Sequence, residues 1–132
     1  MATSPAAATF NLQQAMERQA TGRRVYVREY TASTTLKMQH TGSVCTNYGA
    51  TDTVTLTLSQ SAVKGTNYTF VVQADYAVRV DPGAAGALYI DGAKQTDSYY
   101  VELSGIGTTL TVVCDGNGDW LATVNGTYQV QN

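Results

Sequence analysis

Charge is what this chain has least of. Only 14% of its 132 residues are Asp, Glu, Lys or Arg, against about 25% in an ordinary globular domain. Histidine is nearly missing too: His40 is the sole imidazole, and no Ser or Cys nucleophile is assigned to it by spacing. Two cysteines, Cys45 and Cys114, fit no zinc pattern. Free buried thiols are the default reading, and a disulfide requires that their strands face each other. Prolines number two, so few positions forbid a ladder hydrogen bond. No apolar run reaches the roughly 18 residues of a membrane-spanning helix. The N-terminal MATSPAAATFNLQQ lacks the basic start and apolar centre of a secretory signal.

The polarity comes instead from Thr, Ser, Asn, Gln and Gly, and together with abundant Val and Tyr this composition favours strands. Gly107–Val130 shows the pattern most clearly. Leu110, Val112 and Cys114 alternate with Thr109, Thr111 and Val113, which gives one fully apolar face. Asp115-Gly116-Asn117-Gly118 then breaks the run with residues that tolerate positive φ. Trp120, Ala122 and Val124 form a second one-sided strand. Asn125-Gly126 reads as a type I′ hairpin turn, with Tyr128 and Val130 in a third strand.

Upstream, the same alternation recurs. Arg23–Tyr30 reads as a strand with Val25 and Val27 facing one way and Arg24, Tyr26, Arg28 and Tyr30 the other. Further strands are expected over Thr35–His40, Ser43–Thr46, Thr53–Leu58, Tyr68–Gln73, Tyr76–Val80, Leu88–Ile90 and Tyr99–Leu103. Val54, Leu56, Leu58, Tyr68, Phe70, Val72, Tyr76, Val78, Val80, Tyr99, Val101 and Leu103 are their inward residues. Short strands with turn signals about every ten residues indicate an all-β antiparallel sandwich or jelly-roll-like barrel. No repeat of solenoid type is visible. The domain is expected over residues 23–132, preceded by an arm at 1–22. A short helix at 11–20 is one form the arm can take, with Asn11 as N-cap and Gly22 as stop.

Charge is unevenly placed. Residues 1–30 carry Arg18, Arg23, Arg24 and Arg28 against Glu17 and Glu29, whereas the remainder is acidic. A mildly basic head on an acidic body fits docking on an acidic partner, with chance clustering as the alternative. The carboxylates mostly flank turns, where Asp is used for Asx turns. Asp115-Gly116-Asn117-Gly118-Asp119 resembles the start of a calcium loop but lacks its glycine at position six and glutamate at twelve, so a plain turn is preferred. The alternating Arg24, Tyr26, Arg28 and Tyr30 resemble a single-stranded nucleic-acid face. The acidic body opposes that reading, and Tyr26, Arg28 and Tyr30 are assigned to a subunit interface, with an ordinary solvated face as the alternative. Neither a metal nor a cofactor is called for, and neither nucleic acid nor membrane is expected as a partner.

From Cys45 onward the order of features resembles a module common in tailed-bacteriophage virion proteins: head decoration proteins, head fibres and tail-fibre tips. The stretches that carry it are CTNYGATDTVTLTL (Cys45–Leu58), GTNYTFVVQADYAVRVDP (Gly65–Pro82) and LTVVCDGNGDWLATVNGTY (Leu110–Tyr128). Ser59 stands where such sequences often carry Pro. The resemblance implies a small β domain, commonly trimeric and without enzymatic activity. With no repetitive shaft before it, the chain is expected to be a capsid decoration (cement) protein. It would be made in the host cytoplasm and held on the virion exterior by the major capsid protein. Its capsid contacts are expected at Phe10, Leu12, Met16, Arg18, Arg23 and Arg24. The alternative is a head- or tail-fibre module binding a host receptor or glycan through Tyr99, Tyr100 and Trp120, with Tyr100 the most available.

Overall fold

A computed structural model describes residues 24–132. The arm at 1–22, the helix at 11–20 and the residues Phe10, Leu12, Met16, Arg18 and Arg23 lie outside the described residues. Ten strands follow in order: β1 (Val27–Glu29), β2 (Thr34–Thr35), β3 (Ser43–Thr46), β4 (Val54–Thr57), β5 (Asn67–Val71), β6 (Val78–Asp81), β7 (Leu88–Ile90), β8 (Ala93–Lys94), β9 (Tyr100–Cys114) and β10 (Trp120–Gln131). The all-β expectation holds, in a sandwich-like arrangement.

The pairing is mixed rather than purely antiparallel. β1, β3 and β5 form one parallel branch, and β2, β4 and β6 form another. The chain therefore winds, placing successive strands alternately in the two branches, and does not fold back in hairpins through its first half. Val27, Val44 and Thr69 are register partners in one branch, and Thr34, Leu56 and Val80 in the other. The three coils differ in length, so the winding leaves no fixed period in the sequence.

Both branches end on β9. Its first half pairs antiparallel with β6 and its second half with β5. Gly105 and Gly107, with φ of 87° and 93°, break the strand between those halves. β10 follows β9 along its length and then pairs with β7, which carries β8 at the edge. One buried cluster draws side chains from both branches, including Leu56, Phe70, Val80, Leu103, Leu110 and Trp120. The sheet thus folds over onto itself. Each fully buried side chain of this kind contributes about 1.5–3 kcal/mol.

The inward residues read from alternation are largely those found. Val54, Leu56, Leu58, Tyr68, Phe70, Val72, Val78, Val80, Val101, Leu103, Leu110, Val112, Cys114, Trp120 and Ala122 are all buried. Four local expectations change. Thr35–His40 is strand only at its first residue; Met38–His40 is a turn of 3₁₀ helix, because only Leu36 of this stretch is buried and the chain must swing back to the first branch. Tyr76 is exposed in a corner, its amide bonded to the Ala74 carbonyl at 2.7 Å. Tyr99 precedes β9 and is half-buried.

The fourth change is Asn125-Gly126, which is a bulge inside β10 and not a turn. A Cβ on Gly126 would lie 2.6 Å from Thr108 Oγ1, and its φ is +121°. The glycine is required by a close approach, as bulges often are.

The cysteines are free and buried. Cys45 is register partner to Phe70 and Cys114 to Trp120. Burial pushes the Cys45 thiol up to about 11 and the Tyr68 hydroxyl up to about 12. Both are therefore neutral and unreactive near neutral pH.

Candidate binding surface

The winding brings four crossings to one side of the molecule. The chain passes from branch to branch at 30–33, 47–53 and 72–77, and β9 crosses at 104–108. At the second crossing Asn47, only 1% exposed, is the fixing residue. Its Oδ1 accepts the amides of Gln73 and Ala74, each at 2.8 Å, while Nδ2 donates to the carbonyls of Ala74 and Tyr76 at 3.3 and 2.9 Å. One buried amide thus satisfies four backbone groups of the next crossing. Gly107 N–H donates to the Val72 carbonyl and Val72 N–H to the Thr108 carbonyl. Thr108 Oγ1 then accepts the Thr127 amide beside the β10 bulge. These links tie the crossings at 47–53, 72–77 and 104–108 into one ridge.

The ridge presents Tyr48 (59% exposed), Tyr76 (44%) and Ile106 (66%) to solvent. Asp52 and Asp75 are exposed among them, and the segments 30–33, 47–53, 72–77 and 104–108 contain no Lys, Arg or His. Tyrosines set among Asn, Gly, Ser and Thr on a stiff scaffold give large contact area at low entropic cost.

A second exposed surface lies at β1, the outermost strand of the first branch. Tyr26 C=O accepts from Val44 N–H and Tyr30 N–H donates to Thr46 C=O. By strand alternation the backbone groups of Val27 and Glu29 point away from β3. Val25 (56%), Tyr26 (74%) and Val27 (61%) are exposed. The other terminal strands, β2 and β8, have two residues each, Thr-Thr and Ala-Lys, and short or lysine-bearing edges are blunt to pairing.

Both faces of the start of this segment are thus exposed, Val25 and Val27 on one and Arg24 and Tyr26 on the other. Tyr30 packs against the core. Arg28 is half-buried; its Nε donates to Ser43 Oγ at 3.2 Å, and its guanidinium lies 5.3 Å from the centre of the Tyr26 ring. Of the residues assigned to an interface, Tyr26 is fully available, whereas Arg28 and Tyr30 are partly engaged by the body. Arg24 is exposed. Sequence reasoning missed Tyr48, Tyr76 and Ile106 because two lie in corners and the third in a strand crossing, where alternation carries no information.

The other candidates are accounted for by the fold. Ser43 Oγ donates to the His40 backbone carbonyl and not to its ring. Partial desolvation and the Arg28 and Lys37 cations hold the His40 pKa below its ordinary value. Asp115 Oδ1 accepts the amides of Asn117 and Asp119, and Asp119 Oδ1 accepts that of Ala87. Asp115 thus closes its own turn and Asp119 ties that turn to the start of β7, and no cluster of metal-ligating side chains occurs among the described residues. Trp120 is 2% exposed. Tyr100 is not free, as expected, but half-buried, with Arg79 stacked at 4.9 Å and its hydroxyl 3.4 Å from Gln131 Oε1. A shallow cavity of about 400 Å³ is lined by Tyr89, Asp91, Val113 and Leu121 on the outer face of β7, β9 and β10; Asp91 is its one charged group.

No protein-family model matches the chain, and no curated protein matches it.

Proposed function

We propose that this chain is a bacteriophage structural protein of the capsid decoration type. It binds the outer surface of the assembled shell, as a trimer, and stabilises it. The observation that carries the reading is the exposed Val25-Tyr26-Val27 strand, entered directly from the arginine-bearing head. An open, apolar edge gives main-chain hydrogen bonding and side-chain anchors to a partner strand. The arginines beside it, Arg23 and Arg24, pair with carboxylates of the capsid surface. Resemblance of the Cys45–Tyr128 features to phage virion modules supports the same reading.

The physics is mass action. A ligand that binds only the assembled shell shifts the assembly equilibrium toward it. Several modest footholds on one trimer reinforce one another through effective concentration. Removing residues 1–22 tests the role of the head: affinity for undecorated capsids is expected to fall at least tenfold, and unchanged affinity rules it out as an anchor.

The second reading is a head- or tail-fibre module that binds a host receptor or glycan. Exposed Tyr48 and Tyr76 favour it, in place of Trp120 and Tyr100. Ridge-dependent binding on a glycan array selects this reading.

A further inference from the structure

We infer that the outer edge of β10 pairs with the same edge of a second copy of this chain, antiparallel and about a two-fold axis at Gln129. The inference goes beyond the decoration reading and does not depend on it.

β10 is an inner strand only at its start. Trp120, Leu121 and Ala122 lie between β9 and β7, whereas after Ala122 the strand is paired with β9 alone among the described residues. The bulge at Asn125-Gly126 sets off Thr127–Gln131 as a separate edge. Thr127 N–H turns toward β9 and donates to Thr108 Oγ1 at 3.3 Å. By strand alternation the N–H and C=O of Tyr128 and Val130 turn the other way, outward. No backbone partner for them occurs among the described residues. Sheet edges are commonly blunted by charge or proline. Thr-Tyr-Gln-Val-Gln carries neither, and Thr, Tyr and Val favour strands.

Self-complementarity selects the occupant. With Gln129 on the axis, Tyr128 stands opposite Val130 of the second copy, and each such pair exchanges both N–H···O bonds. Tyr128 is 40% exposed and Val130 half-buried against the core, so pairing lays an aromatic ring beside a β-branched side chain, a favourable cross-strand combination. On the other face Gln129 meets its own counterpart and Thr127 meets Gln131, amides and hydroxyls that can bond one another. No like charges oppose each other anywhere along the edge. Glu102, opposite Gln129 on β9, is already paired with Arg79 at 2.8 Å. A contact of this kind is isologous. Each protomer of a trimer offers one such edge, so the pairing joins one trimer to another.

Cysteine cross-linking of the full chain tests the register as well as the contact. Residues facing each other at the axis form a non-hydrogen-bonded pair with Cα atoms about 4.5 Å apart, within the roughly 4.4–6.8 Å that a disulfide spans. Two copies of Thr127 would lie about 13 Å apart. The native Cys45 and Cys114 are buried and do not compete. Under copper phenanthroline, Gln129→Cys is expected to give a disulfide-linked dimer in at least tenfold greater yield than Thr127→Cys. A mixture of Thr127→Cys and Gln131→Cys chains is expected to cross-link as a heterodimer. A Gln129→Cys chain that stays uncoupled overturns the inference, whether its edge is covered by residues 1–22 of its own chain or by a different partner. So does equal coupling at 127 and 129, which is random collision. A chain that cross-links at 129 and ignores capsid shells upholds the pairing and refutes decoration; a chain that binds shells without cross-linking does the reverse.

Discussion

Asn47 shows how much of the architecture hangs on one side chain. Its amide is buried and makes four hydrogen bonds to the neighbouring crossing. Asn47→Ala strands two backbone amides and two carbonyls in or near the core. Each net hydrogen bond is worth about 0.5–1.5 kcal/mol, and an unsatisfied buried group costs more. A loss of about 3 kcal/mol or more is expected in urea unfolding, with the ridge opening first in hydrogen exchange. Cys45 gives a second test at this scale. Its folded pKa of about 11 lies above the ordinary 9.0, burial being the main cause and Arg28 opposing it. A raised pKa means the folded state holds its proton longer than the unfolded state. Stability from this thiol is therefore complete below pH 9 and lost as pH climbs from about 9 toward about 11. Denaturation midpoints across that window should fall, and Cys45→Ala should fall less steeply. Tyr68, pushed up to about 12, adds its own loss at the upper end.

At the scale of the element, β9 joins the two branches and β10 runs along it, and the positions where β9 crosses are the most constrained. Gly126→Ala drives a methyl into Thr108 at a φ that side chains rarely adopt. It is expected to cost about 1–3 kcal/mol, read as a lower thermal midpoint with an unchanged strand content. The same glycine marks where sequence reading stops. Positive φ is demanded equally by a type I′ turn and by a bulge, so Asn125-Gly126 signals a special backbone without saying which. Alternation identifies strands and their inner faces, which is why Val54, Leu56, Phe70, Leu110 and Trp120 were legible. It is blind to strand direction, so parallel winding was not. It also failed at β1, where an edge strand has no closed face for its valines and where Tyr30 is taken inward by Cys45 and the core. The ridge had no signal, because its exposed residues sit between strands or at a crossing.

For the whole molecule, the account is of a stiff wound body with two unlike surfaces. In the proposed role the edge at β1, next to the arginine-bearing head, is the surface offered to the shell. Salt is expected to weaken binding to the shell, since Arg24 is exposed and surface charges are screened within about 8 Å at physiological ionic strength. Raising salt from 0.05 to 0.5 M should lower the affinity for assembled shells, while the apolar edge retains part of it. The most direct test of decoration itself is co-sedimentation of the full chain with assembled capsid shells and, separately, with free capsid subunits. The account predicts saturable pelleting with shells and none with free subunits. Equal binding to both, or to neither, contradicts it.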